Sequence, residues 1–235
     1  MTVKAFERWL PLQTLTSCKT GALCAWLGVL MLFTGTMLHP MSADPNQAVA
    51  AFSEYAADHH WVGSHLLQLA GVGGIMVALL ALAQHLSARG QRLLVHTAVA
   101  GAVTSLALAA ALQAIDGIAL HRMVHVWADA PVSQKPAWFT ATFAVRQVEI
   151  GFASLFCMAL GITAALFGLA QYRHVATPRW LGLLAIVSGV ITSYAGWLMA
   201  HQGFSDRVMM INMPANLLLI VWMLVSGWQL WWAQE

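Results

Sequence analysis

The sequence predicts an all-α protein, a six-span transmembrane bundle, and three observations predict it. Apolar residues make up 60% of the chain and charged residues 9%, whereas soluble domains carry about 25% charged residues. The apolar residues fall into six runs, each long enough at about 1.5 Å per residue to cross most or all of a hydrocarbon core about 30 Å thick. The short turns between runs hold basic residues on one side of the expected membrane. A chain of 235 residues organised this way forms one membrane domain, residues 1–235. Its net charge of +2 without a Lys/Arg run gives no sign of a nucleic-acid partner. Cys18, Cys24 and Cys157 lie outside the segments placed beyond the membrane, so no structural disulfide is expected.

Residues 1–20 interleave Lys4, Arg8 and Lys19 with Phe6, Trp9 and Leu10, and Pro11 breaks the run. They read as a short interfacial helix. The first span covers 22–38. A basic stretch before an apolar run also fits a signal peptide, but His39-Pro40-Met41 provides no small-x-small cleavage site, which favours a retained helix. Residues 40–61 form an outer loop. Within it Asp44-Pro45 supplies an N-cap with proline at the first helical position, and Val49, Phe52 and Ala56 recur at helical spacing. This predicts an interfacial amphipathic helix over 45–58, covering the bundle as a lid or serving as a connector.

The second and third spans cover 62–85 and 93–120, joined by a basic turn with Arg89 and Arg92. The fourth covers 145–170, the fifth 180–200 and the sixth 214–232. Lys4, Arg8, Lys19, Arg89, Arg92, Arg173 and Arg179 fall on one side, and Arg122, Lys135, Arg146 and Arg207 on the other. That bias predicts both termini inside, N-in/C-in, in a bacterial-type inner membrane. Trp228, Trp231 and Trp232 fit an interfacial aromatic belt. Gly182, Gly189 and Gly196 repeat every seven residues, with Gly203 continuing the series, and Gly71 and Gly74 mark the second span. Small residues on one stripe allow close helix approach.

The outer end collects most of the groups able to bind a metal or move a proton. Ionisable residues at membrane depth are costly unless paired, which makes them functional candidates. His65 and Gln68 open the second span and share a face at i, i+3. Asp116 lies late in the third, and Arg146 and Glu149 open the fourth, again at i, i+3. His39 and His201 end the first and fifth spans. His121 and His125 stand at i, i+4, the spacing that lets two imidazoles grip one ion. On an unbroken α-helix Asp116 and His121 would lie about 140° apart.

The leading reading is a membrane enzyme with a metal or haem site near the outer face, acting on a lipophilic substrate. His39, His65, His121 and His125 are the candidate ligands. Asp116, Glu149 and Arg146 are the candidate catalytic groups, as ligand, general base and anion clamp. Gln68 and His201 are candidates for cofactor contact. Imidazole with carboxylate suits zinc, iron or copper. A second reading is copper handling or small-solute transport, because Met37, Met123 and Met199 stand beside His39, His121, His125 and His201, and thioether with imidazole favours Cu(I). A third is a non-catalytic scaffold in which Asp116 or Glu149 pairs with Arg146 across two spans. The expected partners are the lipid bilayer and an apolar small molecule, with self-association left open.

The same residues carry a resemblance. The chain resembles a group of uncharacterised six-helix bacterial integral membrane proteins in which His-Pro ends the first helix and His-Leu-Leu-Gln opens the second. In those proteins Asp-Gly comes late in the third, Arg-x-x-Glu opens the fourth and Gly-Phe follows the fifth. Here these are His39-Pro40, His65-Leu66-Leu67-Gln68, Asp116-Gly117, Arg146 with Glu149, and Gly203-Phe204. The resemblance spans most of the chain and implies the fold but no activity.

Overall fold

The computed structural model describes residues 10–87 and 91–233. Every element among them is helical. In chain order these are α1 (Leu10–Leu38), α2 (Ala48–Ala57), α3 (Trp61–Leu86) and α4 (Arg92–Gln113). A π-helical turn (Ala114–Leu120) runs directly from α4 into α5 (His121–Asp129). Then come α6 (Lys135–Arg173), α7 (Arg179–Gln202) and α8 (Asp206–Trp231). Among the described residues six helices are long and apolar enough to cross a membrane, with α4, the π turn and α5 counting as one. By length and composition this is a multi-pass membrane protein.

Several boundaries differ from the sequence reading. The helix beginning at Leu10 runs unbroken into the first span, so residues 10–20 are no separate interfacial helix. Pro11 sits in its first turn, where the missing N–H costs nothing. Residues 1–9, with Lys4 and Arg8, lie outside the described residues, as do Arg89 and Glu235. The third and fourth spans extend through Asp129 and from Lys135. The polar 121–144 stretch is therefore mostly a helical hairpin that buries Val124, Trp127 and Thr142. The sixth span starts at Asp206 and carries Pro214 inside it. Asp44-Pro45 forms a turn before α2 instead of capping it. The Asp44 carboxylate accepts the Asn46 N–H at 2.9 Å, an Asx turn, and helix begins only at Ala48.

The spanning helices close into a ring in chain order. α1 lies against α3, α3 against α4, α4 against α6, α6 against α7, α7 against α8, and α8 returns to α1. The α6–α7 seam is the most extensive. The predicted glycine stripe makes it: a Cβ on Gly182 would stand 2.6 Å from the Gly168 carbonyl oxygen, and one on Gly196 2.7 Å from that of Ser154. Gly28 and Gly71 bring α1 and α3 together in the same way. Gly203 ends α7 at φ +63°, a conformation that favours glycine.

One end of the bundle carries Lys19, Arg92, Arg173 and Arg179, all exposed. At the other, here the loop end, α2, α5 and the start of α6 build a second small core. There Phe52 packs on Trp127 and Phe139, and Tyr55 on Trp61.

Candidate functional site

The loop-end core surrounds a cluster of polar side chains from four elements. His39 follows α1, His65 lies in the second turn of α3, Asp116 in the π turn, and Arg146 and Glu149 on α6. His65, Arg146 and Glu149 are 1%, 5% and 2% exposed. π turns recur at functional sites. Here the turn moves Asp116 off the α-helical register while Gly117 lets the backbone close on α3. A Cβ at Gly117 would sit 2.6 Å from the His65 Cβ.

One nitrogen and one oxygen decide the chemistry of this group. The His65 Nδ1 stands 2.7 Å from the Trp61 carbonyl oxygen, which can only accept, so Nδ1 carries a proton. Its Nε2 then faces the Asp116 Oδ2 at 3.1 Å. A neutral imidazole there would set a lone pair against a carboxylate, so the contact calls for a proton or a cation between them. His39 is arranged alike, with Nδ1 donating to the Pro40 carbonyl at 2.7 Å and Nε2 left free. Ligand atoms of His39, His65 and Asp116 all lie within 4.8 Å of one another. In a tetrahedral zinc site, bonds of about 2.0–2.1 Å set two ligand atoms about 3.4 Å apart, so side-chain movements of about 1 Å would close the group on one ion.

Two more observations fit a cation. The Asp116 Oδ1 is buried without a partner. The neighbouring Arg146 and Glu149 pair with one another: NH1 of Arg146 reaches both Glu149 oxygens, at 2.9 and 2.8 Å, which leaves the Asp116 charge to be balanced at His65, by a proton or by a cation. Backbone carbonyls holding Nδ1–H, as Trp61 and Pro40 do here, are the usual second layer behind metal-binding imidazoles.

Aromatic rings enclose the group. Trp61 stacks on His65 and His39, at 4.6 and 4.8 Å between ring centres, and its indole N–H donates to the Asp116 carbonyl at 3.0 Å. The Tyr55 hydroxyl lies 3.3 Å from Arg146, whose guanidinium lies over Phe204 at 4.8 Å. Burial raises the Tyr55 phenol to about 12, so it stays protonated. Burial also pushes the His39 imidazole below its usual value, against the pull of Asp116, which favours the neutral form that metals bind.

His39 opens on a surface pocket it shares with Met37, Pro40, Glu54 and Asp58. The two acids give that approach a negative field. Burial works to raise the Glu54 carboxyl, but the Ala43 and Ser42 N–H groups, each 2.9 Å away, together outweigh it and hold the group below its usual value.

The remaining sequence candidates stand elsewhere. His121 and His125 face each other, Nε2 to Nε2 at 3.2 Å, in an open pocket with Arg122, Asp129 and Trp138. They are not part of the three-residue group. Gln68 accepts from Gln113 at 3.2 Å. His201 is exposed on α7, stacked on Trp197. Arg146 pairs within its own helix, so it does not bridge two spans. The sequence reading missed Tyr55 and Trp61 as site residues, although Trp61 stands four residues before His65, one helical turn. No protein-family model, curated protein or solved structure matches the chain.

Proposed function

We propose that the chain is an integral membrane enzyme whose His39, His65 and Asp116 hold one zinc or iron ion near the outer face, where it acts on a lipophilic substrate. The observation that carries this reading is the convergence of three donor groups within 4.8 Å, with the Nδ1–H of both imidazoles engaged by backbone carbonyls and the His65 Nε2 against Asp116. An all nitrogen-and-oxygen donor set favours zinc or iron over Cu(I). Two imidazoles and a carboxylate leave coordination positions open, as catalytic sites do. The His39 and His65 rings are 5.0 Å apart and tilted by 55°, which leaves no slot for a porphyrin between them.

The ion would supply Lewis-acid polarisation of a substrate oxygen or, for iron, redox capacity. The chain's own residues do the rest. His65 and His39 are fixed in one tautomer by Trp61 and Pro40. Asp116 offers its second oxygen as a ligand or as a base for one proton. Arg146, itself held by Glu149, holds Tyr55 across the site, and the aromatic rings wall its buried side, leaving the His39 pocket as the open approach. Glu149, bound through both oxygens, serves position more than proton transfer. The N-in/C-in orientation in a bacterial inner membrane belongs to the same proposal, supported by the exposed basic residues at the opposite end.

A second reading draws on the direct 3.1 Å contact of His65 and Asp116: a protonated ion pair that fastens α3 to the π turn. Elemental analysis with a visible spectrum, on detergent-purified wild type and on His65→Ala and Asp116→Asn, separates the two. Stoichiometric zinc or iron in the wild type, lost in both variants, is the expected result. Metal-free wild type whose variants lose only thermal stability would leave the ion pair as the role of these residues.

A further inference from the structure

Below the polar cluster, between α1, α3, α6 and α8, lies a cavity of about 350 Å³, within the range of small-molecule sites. Its walls are almost wholly apolar, among them Leu32, Val72, Met76, Leu160, Trp222 and Met223. The polar exceptions are few, chiefly Thr36, Thr163 and Asn216. With about 1.5 Å of rise per residue, the lining stretches of the four helices are about 10 to 15 Å tall. That shape is a narrow upright slot.

Two relations give the slot a direction. Its mouth opens sideways. α1 and α8 are clasped near the basic end, where the Trp26 indole donates to the Leu224 carbonyl at 3.2 Å and stacks on Trp231. Toward the loop end Phe33, Met37, Met213 and Leu217 line the slot and are each half exposed. Its upper end points toward the candidate metal centre, which lies about 10 Å, two helical turns, beyond the lining at Val72. Met37 lines both this slot and the His39 surface pocket. On α3, Gln68 stands one turn above Val72 and His65 another turn above that. On α6, Glu149 stands two turns above Phe156 and Cys157.

We propose that this slot takes the hydrocarbon tail of a single-chain amphiphile from the bilayer, with its oxygen-bearing head directed past Met37 to His39, His65 and Asp116. This deepens the functional reading above and rests on it. A slot with no charged residue among its described lining, half exposed at one side and joined through Met37 to the pocket of a polar centre two turns above it, fits a molecule apolar along its length and polar at one end. A two-chain phospholipid would leave one chain outside the slot.

The test uses the full chain in phosphatidylcholine nanodiscs and two photoreactive sixteen-carbon alcohols, one with a diazirine at the tail end and one beside the hydroxyl. The tail probe is expected to label Met76, Trp222 or Met223, and the head probe the Thr36–Met37 turn. Labelling by both should saturate and be displaced by unlabelled alcohol. Leu160→Trp, which fills the slot, should abolish labelling. Met213→Trp, at the exposed mouth where folding tolerates it, should also reduce it. Labelling that never saturates, falls only on outward residues such as Leu27 and Leu30, or persists in both variants means bulk lipid chains only and overturns the proposal. Equal labelling of top and bottom by the two probes overturns the orientation. Metal content, read on the same preparation, separates the failures. Saturable, oriented labelling of a metal-free protein removes the enzyme reading alone, and metal with unsaturable labelling removes the slot alone.

Discussion

At Gly117 the site depends on the absence of an atom. The π turn presses against His65 so closely that a methyl group there has no space, and the neighbour is a Cβ rather than the free end of a flexible chain. Gly117→Ala is expected to cost about 1–3 kcal/mol, as overpacking does, and to displace His65 from Asp116. Thermal unfolding by intrinsic fluorescence, with metal content alongside, checks both effects. Glu54 gives a second prediction, in pH. Its carboxyl is held below its ordinary value by the Ser42 and Ala43 N–H groups, so the stability it lends is present above the ordinary carboxylate value and lost as pH falls through the lowered one. Hydrogen exchange at Ser42 and Ala43, corrected for the intrinsic rate, should stay protected at pH 6 and lose protection in Glu54→Gln at the same pH. Unchanged protection in the variant would mean that the turn holds itself.

At the scale of the element, α2 is a ten-residue helix, too short to be stable alone in water. It persists because Phe52 and Tyr55 are buried against α3, α5 and α6. Phe52→Ala should therefore cost about 3–5 kcal/mol, the usual range for buried phenylalanine. The loss should appear as faster hydrogen exchange across residues 48–57, with the bundle core of α3 and of α6 beyond Glu149 unaffected. The sequence made this helix legible through Val49, Phe52 and Ala56, but not its start, because an Asx turn and an N-cap use the same Asp-Pro pair. The π turn was invisible for a different reason. Leu112 to Leu120 is apolar enough to read as plain α-helix, and only Asp116-Gly117 marks the place. Widening of that turn is what removes Asp116 from the 140° relation to His121 and sets it against His65. The polar 121–144 stretch was misread because its buried face holds only Val124, Trp127 and Thr142, too few to lift its hydropathy to that of a span.

For the whole molecule, the six spans were legible from hydropathy and the inter-helix seams from the glycine spacing, since both are one-dimensional signals. Which histidines share a site was not, because it depends on how α1, α3 and the π turn meet in space. Of the four candidate ligands, His39 and His65 converge with Asp116, while His121 and His125 form their own pair. The charge asymmetry yields a prediction at this scale. Val132, 87% exposed at the loop end, and Val175, fully exposed at the basic end, are suited to single-cysteine variants in a background freed of Cys18, Cys24 and Cys157. A membrane-impermeant maleimide should label Val132→Cys in intact cells and Val175→Cys only after permeabilisation. The reverse pattern would invert the orientation and place the centre toward the cytoplasm.

The ring order of the helices has a consequence for biogenesis. His39, His65 and Asp116 all lie within the first three spans, whereas the wall that shuts the apolar slot includes α8, the last spanning helix. A nascent chain emerging into the bilayer can thus assemble its ligand set when half the spans are in place, while the compartment beneath stays open to lipid until the ring closes. On the proposed reading, loading the ion and admitting the tail would be successive events, ordered by translation itself.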